Sequence, residues 1–545
     1  MPVPVVSAVD RLAREYLDLT FDVSPTAATA YGVHDFDGLL DDLSQQNLDT
    51  WVRKLAGLDR RLRALSPRDT EEAVDRDALA ATVAEDLFVE EVERPWRRNP
   101  FRAATAIPQA VLGLIAHDFA PLDERLANVA LRLEAAPRFL AQARALLDEP
   151  CPALWRRMAI SAASSGTTFL TTALGKLAAD TAMAGRLETA AAKAAGALRE
   201  LASWLETEHA RSFPEDAPFA IGEQAQARKL REAHCFETTP AEFVAIGEAQ
   251  IAQITDSLVE QAAKLGSDDW AAKLDELKDS HPSQADVLPT YRKELERLET
   301  FVFEHDLASN PGSEAMVQET PGFLRSLLGF AAYFPSGPLD HHQQGYFWVT
   351  PPPEPSGLRE HAFALIPPVA AHEGYPGHHL QIMSVHRLDS LVRRVIHSSV
   401  MIEGWGLYTE QLMHDVGYYS DEARLGQLSM RLFRALRIVL DMQLQSGGLS
   451  FDEAVGRAVT VARLSEPIAR TEVARYSMDA TQPFGYLVGC LELERLRAES
   501  RARLGDAFRL RRFHDRVLSY GHMPPTIVAQ AIAADDEVER RRPRV

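Results

Sequence analysis

Apolar residues recur at helical spacing along most of this chain, and strand-like alternation is confined to one short stretch. A chain patterned in this way is predicted to be mainly α. Residues 122–147 (LDERLANVALRLEAAPRFLAQARALL) read as helix with an interruption near Pro137, where proline removes a backbone donor. Residues 187–209 are rich in strong helix formers, and 240–264, 287–304, 421–446 and 488–504 continue the theme. The exception is GYFWVT at 345–350, aromatic and β-branched, stopped by Pro351, Pro352 and Pro353.

At 545 residues the chain is too long for one core of ordinary size. Pro, Gly and Ser cluster between 308 and 358, which places a boundary there: an N-terminal helical region, 1–310, and a C-terminal region, 311–545, holding the short sheet and the chemistry. The expected architecture is a large two-lobed helical body around a channel, with one small β-sheet next to a metal-binding helix. A net charge of −20 argues against nucleic acid or an anionic membrane as partner. No stretch approaches the roughly 20 apolar residues that span a bilayer, and the first residues, MPVPVVSAVDRLAREYL, lack the pattern of a secretory signal. Cys151, Cys235 and Cys490 are odd in number and far apart, which fits a reducing compartment and a cytoplasmic address. Phosphate-cradling glycine loops and a nucleophile elbow are absent from the sequence.

Chemistry concentrates in HEGYPGHH, residues 372–379. In H-E-x-x-H the two histidines stand one helical turn apart and converge on zinc, while the glutamate faces the reacting water. Here position 376 is proline and the next histidines are His378 and His379. Pro376 denies a hydrogen bond to the carbonyl of His372, and Gly377 permits the torsions needed to recover. A two-residue bulge at Pro-Gly would return His378 to the place of the missing ligand; His379 is the alternative. Glu403 and Glu410 follow in MIEGWGLYTEQL, one face of a second helix flanked by apolar residues. Acids in such surroundings need a cation or metal. Glu403 is the expected third ligand, and Glu410 the carboxylate that orients a ligand histidine.

HEGYPGHHLQ resembles the H-E-x-x-P-G-H-x-x-Q signature of the bacterial family named domain of unknown function 885, itself related to the zinc-peptidase superfamily of thimet oligopeptidase and angiotensin-converting enzyme. The resemblance spans nearly the whole chain. REYLDLTFDVSPTAATAYGVHDFDGLLDDLS (15–45) is similar to the family's N-terminal pattern, GYFWVT to the strand before its metal helix, and EGWGLYTEQL to its third-ligand helix. EVARYSMDATQPFGYLVG (472–489) resembles a segment usually written R-Y, P-G-Q, then tyrosine and glycine; here Ala480-Thr481 replaces Pro-Gly before Gln482.

Together these readings predict a zinc-dependent hydrolase that cleaves peptide bonds of short peptides. One zinc ion is expected on His372, His378 and Glu403, and the donor set also admits manganese, cobalt or iron. Glu373 is the expected general base. Tyr486 and Tyr476 are candidates for stabilising the developing oxyanion. Arg475 and Gln482 are assigned to substrate binding, Arg475 as a bidentate partner for a carboxylate. Gly345, Tyr346 and Phe347 are expected to offer a strand edge to an extended peptide. The alternatives are a zinc amidase or dipeptidase acting on a small non-peptide amide, and a non-catalytic binder that keeps the fold. The expected partner is a short peptide or small amide, with no nucleic acid and no membrane, and the oligomeric state stays open.

Overall fold

The structure, a computed structural model, describes residues 7–321, 325 and 330–541. It is 71% helical with one small three-stranded sheet, so the mainly α expectation holds. Helices at Pro240–Lys264 (α1), Val287–Glu304 (α2) and Asp421–Ser446 begin and end where the pattern put them. At α1 the reason is local. Thr239 and Glu242 form a reciprocal capping box, and Pro240 fills the first turn, where no donor is needed. Residues Leu122–Leu146 differ from expectation, for they form one helix with Pro137 inside it. Leu126, Val129, Leu133, Phe139 and Leu140 on this helix are buried, and that burial outweighs the one backbone bond Pro137 cannot make.

The chain forms two compact units that interleave in sequence. The first comprises 1–65, 83–220 and 336–342. Its core is built by Pro100–Ile115, Leu122–Leu146, Ala153–Thr168 and Ala184–Trp204, whose facing sides carry Leu114, Leu133, Ala163 and Leu198 with no solvent exposure.

The second unit comprises 66–82, 221–335 and 343–545 and holds the sheet. The boundary expected at 310 does not coincide with this division. Helices α1 and α2 precede it in sequence yet pack within the second unit, α1 along Asp421–Ser446 and α2 against Ile366–Glu373. Apolar faces, not loop composition, choose partners. In the sheet Gly345–Val349 (β3) lies in the middle, parallel to Ala315–Glu319 (β1) and antiparallel to Ala331–Pro335 (β2). The remaining helices that matter here are Ile366–Glu373 (α3), His378–Val385 (α4), Ser399–Asp415 (α5), Asp421–Ser446 (α6), Glu466–Tyr476 (α7) and Gly485–Leu504 (α8).

Candidate metal centre

Helix α3 starts with Pro367 and Pro368 in its first turn and stops at Glu373, with Gly374 as its cap. The chain then turns through a cis Tyr375–Pro376 bond, and α4 starts at His378. The expected two-residue bulge is therefore a full break and restart of helix. Gly377 is needed for its smallness: a Cβ there would stand 1.9 Å from the carbonyl oxygen of His372. The break sets His372, in the last turn of one helix, against His378, the first residue of the next. Their rings lie 4.6 Å apart and nearly perpendicular.

Helix α5 supplies the third member. Glu403 Oε2 is 3.6 Å from His372 Nε2 and 3.7 Å from His378 Nε2. One donor atom from each of the three residues lies within 4.8 Å of the others. Bonds of 2.0–2.1 Å arranged tetrahedrally would put neighbouring donors roughly 3.4 Å apart, so the spacing to Glu403 fits a small divalent cation. Close approach of α5 is required for this. A Cβ at Gly406 would stand 2.6 Å from the His372 ring, and one at Gly404 would stand 2.6 Å from the backbone of Gly489 on α8.

His372 presents Nε2 to the cluster because Nδ1 is held 2.8 Å from Glu410 Oε1, seven residues along α5 from Glu403. Burial works to lower the His372 pKa, but Glu403, Glu410 and then Glu373 outweigh it and raise it to about 10. Burial works to raise Glu403, and its two histidine partners hold it well below the usual carboxylate range. The cluster thus attracts positive charge. His378 Nδ1 has a longer contact, 3.4 Å, to Gln381 Oε1.

His379 lies outside the cluster. Its Nε2 meets the Ser313 carbonyl at 2.9 Å and its Nδ1 the Tyr333 hydroxyl at 3.0 Å. Burial lowers its pKa to about 4, so the ring is neutral, with Nε2–H donating to Ser313 and Nδ1 accepting from Tyr333.

Glu373 is fixed from one side only. Its Oε2 accepts a hydrogen bond from the Tyr333 backbone N–H at 2.9 Å. That contact lies on the outer edge of β2, one of the two outer strands of the sheet. Thr350 N–H bonds to Phe330 carbonyl, so in this register the backbone groups of Ala331 and Tyr333 point away from β3. The edge expected at Gly345–Phe347 is not there, because β3 is the central strand and both its sides are paired. Phe347 is buried against Tyr291, with ring centroids 5.6 Å apart. Tyr346 lies against Trp348 on the opposite face. Gly345 has a packing role: a Cβ there would stand 1.9 Å from the Tyr333 hydroxyl.

The predicted C-terminal residues divide into two groups. Tyr476 is buried and its hydroxyl is committed, receiving Arg437 Nε at 2.9 Å and donating to Glu472 at 2.7 Å. Burial works to raise the Glu472 carboxyl, but Arg437 and Arg475 outweigh it and hold it down to about 2. Arg475 reaches the same Glu472 at 3.1 Å and Gln482 Oε1 at 2.9 Å, so its guanidinium orients this loop. Tyr486 stands apart. Its ring lies under the Arg437 guanidinium at 4.7 Å. Burial first, and then the Glu403 charge, raise its pKa, which keeps a proton on the hydroxyl within electrostatic reach of the metal-ligand candidates. Arg437, Glu472 and Tyr333 are the contributors that sequence reasoning missed. Arg437 and Tyr333 reach partners 35 or more residues away, which no short-range spacing marks, whereas Glu472 stands three and four residues before Arg475 and Tyr476, a helical spacing that could have found it. Gln381 closes the HEGYPGHHLQ stretch three residues after His378, a spacing that is also legible in the sequence.

The family profile described as a bacterial protein of unknown function (DUF885) matches residues 25–532. No curated protein matches the chain. Among solved structures, a candidate lipoprotein of unknown function from Shewanella oneidensis is similar with a TM-score of 0.80 and 22% identity, covering 97% of this chain and 100% of its own. A candidate lipoprotein from Colwellia psychrerythraea is similar with a TM-score of 0.84 and 18% identity, covering 98% and 100%. These likenesses show a shared fold.

Proposed function

The chain belongs to the bacterial DUF885 family, and from that premise and the geometry above we propose that it is a metal-dependent hydrolase of peptide bonds in short peptides. The observation that carries the reading is the meeting of His372, His378 and Glu403 within 4.8 Å, beside a glutamate held on one oxygen only. A pure binder has no use for Glu373 in that position. His372, His378 and Glu403 would hold one divalent ion, zinc being the first choice for two imidazoles and a carboxylate. Such an ion supplies Lewis acidity, which acidifies water and polarises a carbonyl.

The protein's own groups do the rest. The Tyr333 N–H fixes Glu373 Oε2 and leaves Oε1 to take a proton from the attacking water and pass it to the leaving amine. The Tyr486 hydroxyl donates to the oxyanion that develops on the attacked carbonyl. An extended peptide lies along the outer edge of β2, where Ala331 and the Tyr333 carbonyl offer backbone partners. Glu410 holds the His372 tautomer, and Gln381 does so for His378. The resemblance of HEGYPGHHLQ to a zinc-peptidase motif with a displaced second histidine is in line with this reading. Cys151 and Cys490 are buried and all three cysteines are free, which supports a reducing, cytoplasmic setting as part of the proposal.

The test is metal analysis of the purified protein and its Glu373→Gln variant, followed by exposure of both to a quenched peptide library. Zinc near one equivalent in both, with cleavage by the parent alone, is expected. A protein that stays metal-free when zinc is supplied overturns the proposal.

A further inference from the structure

The second unit contains a cavity of about 510 Å³ that shares helix α3 with His372 through Val369, within the size range of small-molecule sites. Trp270, Leu274, Phe330, Leu365, Val369 and Phe433 make its walls apolar. Val369 stands three residues before His372 on α3, about 4.5 Å along the helix axis. Phe330 directly precedes β2, whose outer edge runs past Glu373 at Tyr333. One lining residue, Phe330, is thus three residues along the chain from the Glu373 contact, roughly 10 Å in an extended strand.

Its charges do not balance. The acids that line it are already engaged: Asp275 with Arg359 at 2.7 Å and Glu360 with Lys278 at 3.5 Å. Arg434 also lines it, but among the described residues it has no carboxylate partner. Its one hydrogen bond runs from Nη1 to the Met430 carbonyl at 3.3 Å, and its Nε is buried without a partner. Arg463, exposed at the rim, also lacks an acidic partner. In a protein of net charge −20, an apolar chamber with one unneutralised guanidinium on its wall and another exposed at its rim suits a molecule that is apolar at one end and anionic at the other.

We propose that this cavity receives the C-terminal residue of the peptide substrate, its large apolar or aromatic side chain against the walls and its α-carboxylate on Arg434. The protein then releases short fragments from peptide C-termini. The assignment rests on the hydrolase reading for its substrate, yet its test does not require turnover. The zinc-loaded Glu373→Gln protein is titrated calorimetrically with acetyl-Gly-Gly-Phe as free acid, with the same peptide as C-terminal amide, and with acetyl-Gly-Gly-Gly acid. The Phe acid is expected to bind at least about tenfold more tightly than either of the others, the scale of one charge-assisted hydrogen bond against the amide and of one buried aromatic side chain against the glycine acid. Arg434→Gln in the same background brings the acid to the level of the amide and leaves the amide unchanged, whereas Arg434→Lys keeps part of the difference. Equal binding of acid and amide overturns the proposal, as does an Arg434→Gln variant that weakens both alike. If the Gln variant does not fold, the acid-to-amide ratio of the starting protein and the Lys variant decide. Selective binding by a protein that cleaves no peptide sinks the hydrolase and leaves the cavity assignment standing. Cleavage of acids and amides at equal rates does the reverse.

Discussion

In the candidate metal centre the backbone of Gly406 packs directly against the His372 ring, and a single methyl group there tests the whole arrangement. In Gly406→Ala the new Cβ would start 2.6 Å from His372 Cε1 and 2.7 Å from Nε2, about 0.8 Å inside the 3.4 Å at which contact becomes ordinary. The ring cannot swing freely, because Nδ1 is anchored to buried Glu410. Helix α5 cannot simply retreat either, because Gly404 on it touches the backbone of Gly489. His372 Nε2 must therefore move by several tenths of an ångström, whereas metal sites tolerate about 0.2 Å. Fold stability changes little, since overpacking costs about 1–3 kcal/mol and replacing a helical glycine returns about 1. The expected result is a folded protein whose melting temperature falls by a few degrees and whose zinc affinity falls at least about a hundredfold, the upper range for disturbing the partners of a ligand. Chelator competition followed by elemental analysis measures the affinity, and circular dichroism measures the melt. Gly456→Ala, where the added Cβ meets nothing within 4 Å, is the control and should be stabilising. Wild-type zinc affinity in Gly406→Ala would refute the claim that His372 binds metal at this place.

Three further outcomes follow from the same contacts. Glu410→Gln keeps the shape but loses the charge opposite His372 Nδ1, and zinc affinity in chelator competition should drop about 10–100-fold. Tyr476→Phe and Tyr486→Phe should behave oppositely. The first removes a buried hydroxyl bridging Arg437 and Glu472 and lowers unfolding free energy in urea by about 1–3 kcal/mol; the second leaves stability alone and lowers kcat on a cleaved peptide. Burial lowers His379 and His514 to about 4 and His234 to about 3, all below the 6.5 of an unfolded chain. Their neutral forms therefore contribute stability that is complete above pH 6.5 and is lost as pH falls toward 4, at about 1.4 kcal/mol per pH unit for each proton taken up. A melting temperature that stays flat from pH 6.5 to 4 would contradict that assignment.

What was legible in the sequence was what periodicity and local chemistry determine. The bounds of α1, α2 and α6 follow from amphipathic spacing and from caps such as Thr239–Glu242, which lie three residues apart. Glu403 and Glu410 were legible for a similar reason, since two acids seven residues apart share a helical face among apolar neighbours. The helix through Pro137 was misread because a local rule was applied where long-range burial decides. GYFWVT is legible as a strand, but its place in the sheet is not, because strand order depends on partners 10 to 30 residues distant. The residues assigned to that edge moved with the error: Phe347 became core, and Gly345 became room for the Tyr333 ring.

The break at Tyr375–Gly377 shows how a departure from a motif can preserve its chemistry. In a continuous helix two ligands share one face and one axis, so their separation is set by helical pitch. Here two helix ends meet, and the separation is set by what crosses behind them. Trp405 on α5 donates its indole N–H to the Pro376 carbonyl at 2.9 Å, and Thr409 on the same helix reaches back to the carbonyl of Ala371. The helix that carries Glu403 thus also clamps the turn that places His378. Glu403 and the placement of His372 and His378 depend on one structural element, which is why a change at Gly406 reaches all three candidate ligands.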